Sequence, residues 1–350
     1  MRIGAPQQDV AGFPRLSILA GALLLLGADP AAGESEYHEL GHPQSGESGS
    51  AAERPRPARP DPQRLREYVA YYEASLRNGQ YLEAETAAKQ MIEYAIRTGG
   101  MDGVPMADAL CRLALAQRRN KQYDSALQNY LAAIRALEQS ENRLSDKLIE
   151  PTLDLGNTYL ENDRADLALG VFDRALYLKH VNAGPHNLQQ TRILDAIAAA
   201  QLANGDADAA LTTIDRMHYL HTREFGPDSE EILPVLEKRA GLLNEIGLYG
   251  KERLVRLQMV NLIEEHRGTT HLSLLEPYTA LGRTYLHEVD EVIFRSEPTA
   301  QTGETYLKKA LAVAEQSPDA NWLTREQALI ELADYYTILD VQDKARRNYR

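Results

Sequence analysis

His218 and His221, three residues apart and followed at the same interval by Glu224, are the closest this 350-residue chain comes to spelling metal chemistry. Residues at that spacing share one face of a helix, so two imidazoles could meet one ion. The spacing defines no third ligand, however, and histidine near a helix C-terminus is favoured by the macrodipole in any case. His180 and His186 straddle Gly184-Pro185 in a similarly incomplete way. Cys111 lies in the apolar setting Ala109-Leu110-Cys111-Arg112-Leu113 and is the chain's one cysteine, so it can make no internal disulfide and supplies too few thiolates for structural zinc. It reads as a small, buried or half-buried hydrophobe on a helix. Glu264-Glu265 and Glu141 with Asp146 read as solvated helix faces. The sequence holds no Gly-x-x-x-x-Gly-Lys-Ser/Thr loop, no Gly-x-Ser-x-Gly elbow and no His-Glu-x-x-His helix. The expectation is therefore no catalysis, no metal and no cofactor, with a metal-dependent enzyme on His218 and His221 as the weakest alternative.

The composition, 43% hydrophobic and 25% charged, is that of a globular chain with a large core. A formal net charge of −13 with no run of Lys or Arg argues against nucleic acid, which needs a dense basic face.

Arg2 and Arg15 precede an apolar run over 16–27, which ends in the small residues around Ala31-Ala32-Gly33. The run falls short of the roughly 20 residues a membrane span needs, and fits the apolar region of an export signal. The expectation is a signal peptide over 1–33, with no stable membrane span after cleavage. Residues 34–63 are dominated by Gly, Ser, Pro, Glu, Ala and Arg, as in Arg54-Pro55-Arg56-Pro57, and read as a disordered linker unable to offset its ordering entropy. The signal-like N-terminus leads to the expectation of an exported chain, periplasmic if bacterial, and the lack of any Asn-x-Ser/Thr acceptor points to a bacterial envelope rather than a eukaryotic secretory route.

From 64 to 350 the chain repeats. Ala84, Ala126, Ala168 and Ala210 recur every 42 residues, each opening an apolar segment of helical spacing. A fifth copy places Ala240, Gly247 and Tyr249 in frame but carries Glu252 and Arg256 where a small and an aromatic residue are expected. The sixth restores the pattern with Leu281-Gly282-Arg283-Thr284-Tyr285, then lengthens its turn from Val289 to Ala300. The seventh runs through Leu332-Ala333, Tyr336, Ala345 and Tyr349. Stopping there, it reads as a truncated hairpin. In the first copy Tyr72 and Ala88 exchange the small and bulky roles.

Leu155-Gly156-Asn157-Thr158-Tyr159, followed by Ala168, Phe172 and Ala175, resembles the signature of a tetratricopeptide repeat. Gly226-Pro227-Asp228-Ser229 is similar to the connector of the 42-residue, kinesin-light-chain-like subclass. The resemblance implies an all-α fold, a right-handed superhelical α-solenoid of about seven helix-turn-helix repeats. The extra residues of each copy are expected to lengthen its second helix. The resemblance also implies that the first helix of each pair lines a concave groove, placing Arg66, Arg77, Arg112, Arg119, Asn157 and Leu160 at a partner-binding surface. Asn157 matches an asparagine that contacts extended ligands in peptide-binding members. The arginines would form a basic patch, and Asp195, Glu237 and Glu245 an acidic continuation. The function expected is a protein–protein interaction scaffold of the cell envelope, binding a protein or peptide. The alternative is the repeat arm of a larger envelope protein with an effector domain, of the TonB type for instance, beyond 350.

Overall fold

A computed structural model of the chain describes residues 61–99, 103–291, 297–339 and 341–349. The expected export signal and nearly all of the expected linker lie outside the described residues. Asp61 caps the first helix through its carboxylate, which accepts a hydrogen bond from the Gln63 amide at 3.0 Å, and Pro62 takes the first helical position. The folded region thus begins two residues before the expected boundary at 64.

The described residues form seven antiparallel helix pairs. They are α1 (Pro62–Arg77) with α2 (Tyr81–Gly99), α3 (Val104–Arg119) with α4 (Tyr123–Ser140), and α5 (Ile149–Glu161) with α6 (Ala165–Ala183). Then come α7 (Thr191–Ala203) with α8 (Ala207–Phe225), and α9 (Leu233–Glu245) with α10 (Tyr249–Arg267). The last two are α11 (Leu275–Glu291) with α12 (Glu297–Gln316), and α13 (Trp322–Ile338) with α14 (Gln342–Asn348). Each helix packs on its successor, and α3, α5 and α7 also touch as a row, as do α11 and α13. No strand occurs among the described residues. One apolar cluster runs unbroken from Ala107 to Leu262, because each hairpin buries the face its neighbour leaves open.

The 42-residue interval is written into the backbone. The turn between the two helices of a pair needs a left-handed residue, which is Gly79, Lys121, Asp163, Gly205 and Gly247 in the first five pairs. Lys121, at φ 60°, has neither glycine's freedom nor the short polar side chain that eases Asp163 into this region. Lys121→Gly is expected to stabilise the protein by about 0.5–1 kcal/mol, read as a higher urea midpoint at unchanged m-value.

The extra residues of each repeat divide between two places. The second helices are long, with 19 residues in α6, α8 and α10. The remainder forms a 3-10 turn ahead of the first helix, at Asp146–Leu148, Leu188–Gln190, Glu230–Ile232 and Leu272–Leu274. That turn was not foreseen. Its last residue, Leu148, Gln190, Ile232 or Leu274, is fully buried as a plug between successive hairpins. Gln190 is tolerated there because its side-chain amide donates to the carbonyls of Pro185 and Asn187, both at 2.8 Å. Of the expected long turn over 289–300, residues 292–296 lie outside the described residues, and the rest are helical. Its first residues continue α11, and 297–300 open α12, where the Ala300 carbonyl accepts from Tyr335 Oη at 2.7 Å.

Candidate protein-binding groove

The site depends on how two helices of a pair cross. At α5 and α6, Gly156 lies against the ring of Phe172, which is fully buried. A Cβ at Gly156 would sit 3.0 Å from Phe172 Cζ and closer still to Cε1, so only glycine fits beside that ring. The same crossing recurs as Ala114 with Tyr130, Ala198 with Ile214, and Gly282 with Leu307, all buried where exposure is recorded, and inverted as Tyr72 with Ala88 in the first pair. The fold is a tetratricopeptide-type solenoid. In a tetratricopeptide-type pair this crossing sets which face of the first helix turns away from the second.

On that outward row the first helices are tied to one another in sequence. Tyr72 Oη of α1 donates to the Arg112 carbonyl of α3 at 2.8 Å; burial raises the phenol's pKa and keeps its proton in place. Arg118 of α3 reaches Asp154 of α5 at 3.2 Å. Glu150 of α5 meets Arg192 of α7 at 2.7 Å, and Asp195 of α7 pairs with Lys238 of α9. Arg283 of α11 donates through Nε to Glu331 of α13 at 2.9 Å. The exposed pairs Glu150–Arg192 and Asp195–Lys238 add little stability, on the order of 0–1 kcal/mol each, but they neutralise the row locally, whereas Arg118 is buried at 7% exposure.

Between α9 and α11 the tie is different. Arg256 of α10 is 4% exposed and its Nη1 donates to Glu237 of α9 at 2.7 and 2.8 Å and to Glu276 of α11 at 2.8 Å. Glu252, 1% exposed, lies 3.4 Å from Arg256 Nε and accepts from Asn244 Nδ2 at 2.9 Å. Burial pushes the Glu276 carboxyl above its usual range, against the pull of Arg256, and Glu237 pushes it further the same way. For Arg256, burial opposes the charge, but Glu276, Glu237 and Glu252 outweigh it and hold the guanidinium firmly protonated.

The ties sort the expected groove residues. Arg66, Arg77 and Arg119 are exposed, and among the described residues none of them has a carboxylate within ion-pair distance. Arg112 is already engaged, with Nε 3.0 Å from Asp108 and its guanidinium 5.4 Å from the Tyr72 ring centre. Asn157 is half-buried on α5. Leu160 is half-buried and packed against the main core, so it offers less apolar surface than expected. The acidic continuation is also weaker than expected, because Asp195 and Glu237 are paired while Glu245 is exposed. Cys111 is half-buried, and burial, with Asp154 and Asp108, pushes its thiol up to about 12. That leaves it inert as a nucleophile at neutral pH. Glu264 does not face solvent alone: it accepts a hydrogen bond from Tyr278 Oη.

One groove residue was missed. Arg77, Arg119, Glu161, Ala203 and Glu245 occupy one exposed position at the C-terminal end of successive first helices, 42 residues apart. The charge along this position reads positive, positive, negative, neutral, negative. The interval that located the small residues would have located Glu161 as well.

The histidines do not converge. His218 Nε2 lies 3.4 Å from Thr222 Oγ1, and His221 Nδ1 lies 3.3 Å from the Glu231 carbonyl. Burial, followed by the charge of Arg239, holds His218 below its ordinary pKa. Among the described residues no three His, Cys, Asp or Glu side chains gather as ligands would.

No family model matches the chain, and no curated protein does. Among solved structures, the kinesin-light-chain-type TPR-like repeats of Podosopora anserina are 15% identical, with 58% of this chain and 92% of that one covered and a TM-score of 0.47. BtubC (BKLC) from P. vanneervenii is also 15% identical, with coverages of 65% and 87% and a TM-score of 0.47. Aspartyl phosphate phosphatase F from Bacillus subtilis is 15% identical, with coverages of 82% and 69% and a TM-score of 0.48. The fold assignment rests on the recurring crossing and not on these likenesses.

Proposed function

We propose that this solenoid is a non-catalytic scaffold that binds a polypeptide along its row of first helices. The observation that carries the reading is the sign change at the shared exposed position, from Arg77 and Arg119 to Glu161 and Glu245. Charges already paired within the chain cannot discriminate between partners. These can, because among the described residues Arg77 and Arg119 have no carboxylate within ion-pair distance and Glu161 has only a long contact, 3.7 Å, to Arg118. A ligand acidic toward α1 and α3 and basic toward α5 and α9 fits in one orientation only.

The test is charge reversal at the positions that hold nothing together. Arg77→Glu with Arg119→Glu is expected to reduce capture of the natural partner from native extract by tenfold or more, while stability stays within about 0.5 kcal/mol of wild type. Equal capture by the two proteins would end the reading.

The apolar run over 16–27 supports an exported protein, periplasmic in a bacterial cell. N-terminal sequencing of the protein recovered from its native envelope is expected to begin near Gly33. An intact Met1 would remove the export assignment.

A further inference from the structure

Eight residues before the small crossing residue of each first helix lies the plug that fills the wedge between successive hairpins. It is Met106 before Ala114, then Leu148, Gln190, Ile232 and Leu274 before Gly156, Ala198, Ala240 and Gly282. Met106 is 6% exposed and the other four are fully buried. In the seventh pair the crossing residue is Ala333, and the plug position falls on Arg325.

An arginine cannot bury its charge in that wedge without a partner, and Arg325 turns outward to Glu315 at 3.1 Å with 58% of its side chain exposed. The 3-10 turn that delivers the plug in the third to sixth pairs is absent here, as it is in the second pair, where Met106 lies within α3 itself. An open depression of about 260 Å³ lies between the end of α12 and the start of α13, lined by Ala314, Glu315, Ala320, Asn321, Trp322 and Arg325 among others.

Two further features mark this depression. Ser317 is 7% exposed, yet its Oγ has no hydrogen-bond partner among the described residues. Trp322 is 76% exposed, more than any other large apolar residue described, with Leu323 beside it at 57%. A buried hydroxyl without a partner is costly, and so is a tryptophan face left in water. An occupant packed against Trp322 would remove that face from water.

We propose that this depression is a socket for an aliphatic side chain of a partner polypeptide, of leucine or isoleucine size, entering where the plug residues of the other hairpins lie. Three of the four fully buried plugs are Leu or Ile, and each arrives on a turn of backbone. The socket wall is apolar at Ala314 and Ala320, while Arg325 and Glu315 neutralise each other at the rim and select no ion. The exposed indole of Trp322 stands at the socket's flank. This socket does not depend on the charge pattern of the first helices, so each can fail alone.

The chain supplies its own probe. The octapeptide of residues 229–236, Ser-Glu-Glu-Ile-Leu-Pro-Val-Leu, carries Ile232 in the turn that fills the corresponding wedge of the fifth pair. Trp322 is the chain's one tryptophan, so its emission reports on the socket without labelling. Titrating the octapeptide into the full chain is expected to give a saturable blue shift, half-complete at roughly millimolar peptide. An octapeptide with Ile232→Asp is expected to bind at least tenfold more weakly. Arg325→Leu and, separately, Ala320→Leu fill the socket from within and should abolish the response while far-UV circular dichroism stays unchanged. The proposal is overturned by no saturable change in wild type, by equal response to both peptides, or by an undiminished response in both folded variants. A blue shift that grows with protein concentration in the absence of peptide would assign the socket to a second copy of this chain, and would overturn the partner reading.

Discussion

Arg256→Met is expected to destabilise the solenoid by about 3–5 kcal/mol at pH 7, an effect as large as any single substitution should have. Removing the guanidinium leaves Glu252, at 1% exposure, as a buried carboxylate whose remaining donor is Asn244, with Glu237 and Glu276 repelling it from either side. The defect has a pH signature. Without Arg256 the Glu276 carboxyl, already pushed up by burial, loses the charge that draws it down and rises further, so the native state binds protons more readily than the unfolded chain. Stability is then retained below the unfolded carboxylate value and lost as pH rises through the folded one. The difference from wild type should therefore shrink between pH 7 and pH 5, measured by urea unfolding at each pH. A deficit that is the same at both would show that lost packing, not stranded charge, is responsible. The converse substitution restores the repeat: Glu252→Ala with Arg256→Phe removes every buried charge at once and is expected to be neutral or stabilising by about 1–4 kcal/mol.

Phe172→Ala is expected to cost about 3–5 kcal/mol, because the ring is fully buried at the crossing of α5 and α6 and the backbone around it cannot collapse into the space. Gly156→Ala attacks the same contact from the other side. It gains roughly 1 kcal/mol of helix propensity but forces the ring to move, for a net loss of about 1–3 kcal/mol. The fourth pair already carries a working combination, Ala198 with Ile214. Gly156→Ala combined with Phe172→Ile should accordingly be more stable than the sum of the two single changes by over 1 kcal/mol in a double-mutant cycle. Because the hairpins stack in one dimension, the damage is expected first as a separate early unfolding step centred on the third pair. Additive behaviour in the cycle would mean that Gly156 is small for a reason other than the ring.

Local rules reached far along this chain. The 42-residue interval in small residues located the crossings of the first four pairs, including the inverted one at Tyr72 and Ala88, because a helix pair can approach closely only where one side lacks bulk. They reached less far into the site. Arginine and aspartate at Arg112 and Asp195 look like free surface charge when the chain is read in order. Asp108, four residues before Arg112 on α3, could have been read from the spacing, whereas Lys238, the partner of Asp195, is found only once α7 and α9 are placed side by side. The same holds for Glu252 and Arg256, which read as a decayed repeat and prove to be a buried network closed by Glu276 from the following hairpin.

By itself, then, the sequence determined the unit, its period and the way two helices meet, all of which follow from side-chain size at contacts within some 40 residues. The tertiary structure alone decided which charges remain available to a partner and that the seventh hairpin lacks its plug. Both depend on what the neighbouring hairpin brings to the same point in space, and burial and electrostatics are properties of that meeting rather than of either segment alone.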